Sequence, residues 1–337
     1  MKELKKFSAV RSFSHIYVEE EVKDHPLTLE ILSKFPKAVK IQINHYKEVF
    51  CRPKQNFAVQ EMSKKLILAA KKGRVIYSGP EVCQDFGNKN FYYTSPALNC
   101  IYSCDYCYLK GMYPSANLVI FVNIEDYFKE VENLLKQRPV YLSLSYDTDL
   151  LAMERIVPLV SRWIAYVRGK EDLTIEIRTK SANYSALSHL PPAGNVILAW
   201  TLSPSEVIER YERKTPPLEL RLENIKRAID DGWKVRLCFD PVLYFENWHL
   251  FYDNLITRTF SVVSPEKIND ASIGVFRIPR DYLKRMRKTF PFSEIIYYPY
   301  VEKDGIYTYP EKIKEEIIGY VHLLLRRYLP PEKIFII

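Results

Sequence analysis

Cys100, Cys104 and Cys107 stand in the run Asn99-Cys-Ile-Tyr-Ser-Cys-Asp-Tyr-Cys-Tyr108, a C-x3-C-x2-C spacing with an aromatic just ahead of the last thiol. Three thiolates on one short loop can each hold one iron of a [4Fe–4S] cube, since cysteine thiolate is the usual ligand of such clusters. The fourth iron then has no protein ligand and stays open to a small molecule. A structural zinc site asks instead for four closed ligands, usually cysteine or histidine. The nearest histidines, His45 and His189, are remote in sequence, and Cys51, Cys83 and Cys238 form no second pair. A disulfide framework fits poorly too, because six cysteines in 337 residues are sparse and half of them fall within eight positions.

The run resembles the signature of the radical S-adenosylmethionine (SAM) enzymes, and the rest of the chain must position it. Hydrophobic residues make up 47% and charged residues 27%, so a large core is expected and disorder is not. No apolar run reaches the length of a membrane span. No export signal is expected, because charges interrupt the basic stretch Met1 to Arg11. The expected setting is a reducing cytoplasm, with a monomer as the simplest state. A net charge of +8 is compatible with a polyanionic partner. The 25 tyrosines suit stacking against bases beside phosphate contacts, although most of them would fill core and boundary positions.

From Phe91 onward strand-like and helix-like segments alternate. The expected strands are Phe91 to Thr94, Leu118 to Val122, Val140 to Ser145, Leu173 to Ile177, Val196 to Trp200 and Val235 to Phe239. Helical stretches are expected at Ile124 to Lys136, Ala152 to Val167 and Leu218 to Asp231, the last stopping at Gly232, a natural C-cap position. Strands that are apolar without polar alternation are buried on both faces, and hence parallel. Six such units predict an α/β protein built on a partial (β/α)6 barrel of the radical SAM type over residues 89–262. In such barrels chemistry sits at the C-terminal ends of the strands, and the loop after the first strand carries all three cysteines. Residues 1–88 read as a small N-terminal α/β domain, with helices at Pro26 to Phe35 and Val59 to Ala70 and a strand at Ala38 to Asn44. Residues 263–337 read as a C-terminal region with a strand, a basic helix, a hairpin and a last helix from Glu311 to Tyr328.

Further segments resemble the spore photoproduct lyase family, radical SAM enzymes that repair the thymine dimer of ultraviolet-irradiated spore DNA. The resemblance runs through Ile16 to Leu32, Tyr106-Cys-Tyr-Leu109, Asn117 to Ile124 and Ser145-Tyr-Asp-Thr-Asp149. It continues through Arg178-Thr-Lys180, Trp200-Thr-Leu-Ser203, Arg210-Tyr-Glu212 and Asp240-Pro241. It implies that Cys100, Cys104 and Cys107 ligate a [4Fe–4S] cluster whose open iron is chelated by the amino and carboxylate groups of SAM. It implies SAM contacts at Thr148 and Lys180, with Ser203 and Asp240 facing the same site from strand ends. A solvated loop lysine is the alternative for Lys180. Tyr106 and Tyr108 match tyrosines that relay a hydrogen atom beside the cluster, with packing against the first strand as the other role open to them. The resemblance further implies an external electron donor such as a cytosolic flavodoxin or ferredoxin.

One departure stands out. After the third strand the family carries a cysteine that quenches the product radical, whereas this chain has Ser145-Tyr146-Asp147-Thr148. Tyr146 takes the position, and a phenol donates its hydrogen to a carbon radical more slowly than a thiol does. Of the remaining thiols, Cys238 ends the last expected strand and Cys83 precedes the first, but buried free cysteine is usually inert packing.

In the C-terminal region Arg280, Lys284, Arg285, Arg287 and Lys288 cluster on one expected helix, a pattern able to neutralise phosphates. Tyr298, Tyr300 and Lys303 follow, and Asp304-Gly305 between aromatic β-formers signals a tight hairpin. An aromatic hairpin beside a basic helix could open a duplex, because a barrel pocket cannot reach a stacked base. The expected function is therefore a DNA repair lyase of this family. Its rivals are a radical SAM enzyme acting on another nucleic acid or nucleotide, and a non-catalytic DNA-binding protein that keeps the cluster.

Overall fold

Six strands of the described chain are neighbours in space in the order in which they occur in sequence. They are β1 (Phe91–Thr94), β2 (Val140–Ser143), β3 (Leu173–Thr179), β4 (Val196–Thr201), β5 (Lys234–Val242) and β6 (Asp270–Val275). Every pair is parallel, with registers such as Phe91↔Tyr141, Leu173↔Val140, Ile175↔Val196, Ile197↔Lys234 and Arg236↔Asp270. All residues of β4 and β6 are buried, as strands covered on both faces must be. Ile76–Ser78 pairs antiparallel outside β1, and Ile334–Ile336 adds a parallel strand outside β6. The computed structural model describes residues 12–80, 84–291 and 293–337, so Cys83 and Met1 to Arg11 lie outside the described residues.

A second sheet has the order Val39–Ile43, His15–Glu19, Leu66–Ala69, Leu118–Phe121, Ala97–Leu98. This corrects one expectation. The stretch around Leu118 is not the second strand of the main sheet, because it pairs in parallel with Leu66–Ala69, Leu66 opposite Leu118. The sixth parallel strand is β6 instead. The sequence Leu-Val-Ile-Phe is wholly buried, and such a run fits either sheet equally well. Val59 to Ala70 is likewise not one helix. Phe57–Met62 is helical, capped by the Asn56 side chain accepting from Val59 N–H, and the chain then turns into the strand at Leu66–Ala69.

The helix expected over Ala152 to Val167 is broken into Leu150–Met153 and Leu159–Val167. Pro158 cannot donate a backbone hydrogen bond inside a helix. The buried Glu154 carboxylate caps the new start by accepting from Val160 N–H at 2.7 Å and Ser161 N–H at 2.8 Å. Leu218–Asp230 ends as its sequence predicts: Gly232 takes φ +93° and Trp233 N–H donates to Ala228 O. The hairpin also forms where expected. Val301–Lys303 pairs with Ile306–Thr308 across Asp304 and Gly305, both at positive φ, and Arg277–Pro279 adds a third strand.

Candidate active site

The cysteine loop leaves the end of β1 and is tied down at several points. Asn99, at φ +66°, donates from Nδ2 to Ser115 O and Asn117 O. Lys64 reaches in from the N-terminal region and donates to Cys100 O at 2.6 Å and Tyr102 O at 2.9 Å. Ser103–Cys104 pairs antiparallel with Glu212–Arg213, and Asp105 N–H donates to Tyr211 O. Past Cys107 the chain turns into the short helix Leu109–Met112. There a Cβ on Gly111 would lie 2.4 Å from Tyr282 O, so glycine allows the basic helix Arg280–Thr289 to pack against the loop.

Cys104 is buried and its two companions half-buried. Burial pushes the Cys100 thiol up to about 12 and raises Cys104 and Cys107 as well. Thiolates in this setting call for a positive counterpart. Among the described residues no three His, Cys, Asp or Glu converge tightly enough for a single ion. In a cube each thiolate binds its own iron, and the three-cysteine donor set fits that demand.

Beside the loop lies a buried carboxylate that sequence reasoning did not single out. Glu212 accepts from the Tyr106 hydroxyl, from Ser203 Oγ at 2.7 Å and from Arg221 Nη2, and the Lys180 ammonium stands 3.8 Å away. Burial opposes its charge, but Arg221, Lys180 and the Tyr106 hydroxyl outweigh that and hold its carboxyl at about 2. Arg221, also fully buried, further donates to Pro216 O and Thr201 O. Burial works against the Lys180 ammonium, yet Glu212 and the neighbouring thiols keep it above its ordinary value. Its Nζ lies 5.3 Å from the centre of the Tyr106 ring. The only sequence signal for Glu212 was its place in the Arg210-Tyr-Glu212 resemblance.

A cavity of about 530 Å³ opens at the C-terminal ends of the parallel strands. It brings together Cys104, Cys107, Tyr106, Tyr108, Tyr146, Lys180 and Asp240. Tyr108 donates to Tyr146 O at 2.6 Å and lies 3.3 Å from Asp147 Oδ1. The Tyr146 ring is 4.1 Å from that of Tyr93 and 6.4 Å from that of Tyr108. Cys100, Thr148 and Ser203 do not line the cavity wall. Thr148 is buried with its hydroxyl unpartnered, whereas Ser203 is taken up by Glu212. Asp240 is held between Arg178 at 3.2 Å and Arg277 at 3.6 Å. Cys238 is buried within β5, and Cys51 is exposed at a helix end. Among the described residues, the only thiols on the cavity wall are thus Cys104 and Cys107.

On the outer face, Lys284, Arg285 and Lys288 project from the basic helix, while Leu283 and Met286 anchor it. Arg280 pairs with Glu302 of the hairpin at 3.2 Å. Arg287 differs from its neighbours, donating to Ile296 O at 2.7 Å and lying 3.4 Å from Tyr298 O. It pins a turn. Tyr300 is buried and donates to Ile295 O, Tyr298 packs on Tyr244, Tyr300 and Tyr309, and Lys303 stays exposed beside the hairpin turn.

The spore photoproduct lyase family model matches residues 13–295. A spore photoproduct lyase of Clostridium acetobutylicum is 23% identical, covering 94% of this chain and 97% of its own length. That of Bacillus subtilis is 21% identical over 83% of each chain. A solved spore photoproduct lyase complexed with dinucleoside spore photoproduct superposes with a TM-score of 0.81 at 16% identity, over 96% of this chain and 98% of that one. A substituted form with bound AdoMet and dinucleoside spore photoproduct gives 0.80 at 16% identity. Among the described residues no helix is long and apolar enough to cross a membrane. With a family match over most of its length, the chain belongs to the spore photoproduct lyase family, a family of radical SAM lyases.

Proposed function

We propose that this protein opens the spore photoproduct thymine dimer in DNA, using a [4Fe–4S] cluster held by Cys100, Cys104 and Cys107 in a partial (β/α)6 barrel. The observation that carries the reading is one cavity lined by Cys104, Cys107, Lys180 and the Tyr108–Tyr146 pair. Bound there and reduced, the cluster and SAM supply a 5′-deoxyadenosyl radical able to take a hydrogen atom from the lesion. Lys180 orients the SAM carboxylate with an ammonium that Glu212 keeps charged and in place. Thr148, the other SAM contact that the family resemblance implies, lies behind the cavity wall with its buried hydroxyl unpartnered. The aromatic wall of Tyr93, Tyr108 and Tyr146 excludes water and stacks on the thymine rings. The protein acts as a cytoplasmic monomer and takes its electron from a flavodoxin or ferredoxin.

Tyr146 is the hydrogen donor that closes the reaction in place of the missing thiol. Its phenol should give up hydrogen slowly, so more SAM is consumed per repair than in a thiol-equipped relative. Tyr146→Cys is expected to lower SAM consumption per repaired lesion and Tyr146→Phe to raise it, as measured by 5′-deoxyadenosine released against thymidine product. If both variants match the parent, the donor lies elsewhere. The absent thiol also favours a second reading, the same radical chemistry on another nucleic acid, and product analysis on the dithymine lesion separates the two.

DNA lies on the basic helix and hairpin. Replacing Lys284 and Arg285 by alanine is expected to lower the slope of log affinity against log salt by roughly two, about one per cation removed. Arg287 is left intact because its bonds to main-chain oxygens serve the fold. An unchanged slope would place the DNA contact on another face.

A further inference from the structure

The cavity has a charged wall that the reading above leaves without a task. Arg178 on β3 and Arg277 just beyond β6 flank Asp240, and all three line the cavity. Behind them Glu176 contacts Arg178 at 3.5 Å and is gripped by Arg236, which also holds Asp270. Three guanidiniums thus meet three carboxylates, and the network as a whole is neutral. What it shows to solvent is not. The Arg178 and Arg277 side chains keep 29% and 28% of their exposure, whereas Asp240 keeps 14% and Glu176 only 4%. A molecule entering the cavity therefore meets guanidinium first.

Two further observations point to an occupant. Arg178 Nε and Arg277 Nη1 make no hydrogen bond of their own and face Glu176 at 3.5 Å and Asp240 at 3.6 Å only as ion pairs, so both guanidiniums keep donor capacity that a closer acceptor would satisfy. β6 also presents glycine at the contact. A Cβ on Gly274 would lie 2.5 Å from Asp240 Oδ1 and 3.2 Å from Arg277 Nη1, so any other residue would push the carboxylate and guanidinium away from the strand.

We propose that Arg178 and Arg277 form an anion seat in this cavity, and that its occupant is the phosphodiester joining the two nucleosides of the lesion. The proposal rests on the lyase reading for the nature of the substrate. Guanidinium is suited to the task, since its fork can give two parallel hydrogen bonds to one phosphate. The SAM carboxylate offers related chemistry, but Lys180, beside the cysteine loop, already serves it. Arg277 belongs to a different neighbourhood. It opens the strand Arg277–Pro279, whose partner is the hairpin strand Ile306–Thr308, with Arg277 opposite Thr308. The seat is therefore joined by main-chain hydrogen bonds to the element that lies on DNA, and a strand led inward from the hairpin passes it before the thymines reach the cavity.

The test compares two forms of one lesion, the dinucleotide with its phosphodiester and the phosphate-free dinucleoside. Equilibrium binding of each is measured on the reconstituted enzyme without SAM, so that no turnover occurs, and SAM binding is measured separately. The intact enzyme is expected to favour the dinucleotide by about tenfold, the scale of one charge-assisted hydrogen bond. Arg277→Gln should bring that ratio close to one, and Arg277→Lys should restore part of it. Equal affinity for both forms in the intact enzyme, or a preference that survives Arg277→Gln, overturns the proposal. If Arg277→Gln weakens SAM instead and leaves the lesion ratio unchanged, the anion is the cofactor's and the phosphate assignment is wrong. Binding of neither lesion form would remove the lyase reading itself, and the phosphate seat with it.

Discussion

Alanine at Cys100, Cys104 or Cys107 is expected to strip the anaerobically reconstituted protein of its iron and to end reductive cleavage of SAM. Each change removes one of only three protein ligands, and a two-thiolate remnant cannot hold a cube against solvent. The loss should be close to complete for all three. Cys100 does not line the cavity, yet its carbonyl is held by Lys64 and its thiol shares the loop with the other two. Iron and acid-labile sulfide content, read with the electron paramagnetic resonance of the reduced protein, checks this. Normal iron in the three variants would refute the ligand assignment.

The second large effect belongs to Glu212. Glu212→Ala leaves the Arg221 guanidinium in a fully buried place without its partner, and an orphaned buried charge costs about 3–5 kcal/mol. The same change frees Tyr106, Ser203 and Lys180 at once. SAM affinity should therefore fall together with stability in denaturant unfolding. Glu212→Gln keeps the shape, loses the charge and should be intermediate. The pH dependence has a definite sign. The carboxyl is held at about 2 against an ordinary value of 4.5, so its contribution is fully present above the ordinary value and fades as pH falls toward 2. A Glu212→Ala protein as stable as its parent would mean that Arg221 finds another counter-charge.

The residues that announce themselves locally were legible in the sequence. Three cysteines within eight positions, Gly232 ending a helix and Asp304-Gly305 turning a hairpin are each set by chemistry within a few residues. What was not legible depended on partners far along the chain. Leu118–Phe121 is a buried apolar run, and nothing in such a run says which parallel neighbour it will take. Glu212 looks like any acid in a charged stretch until the fold brings it to Tyr106, 106 positions away. Arg287 has the same side chain as Arg285 two positions earlier, but the packing of the following turn gives it two carbonyls to face. The cavity wall of Arg178, Asp240 and Arg277 comes from three strand ends.

The most direct test of the central claim is to incubate the reconstituted protein anaerobically with SAM, dithionite and a synthetic spore photoproduct dinucleotide, and to follow the lesion by chromatography. The account predicts conversion of the lesion to the two undamaged thymidines joined as before, in step with cleavage of SAM and absent in the Cys104→Ala protein. Vigorous SAM cleavage with the lesion left untouched would contradict it.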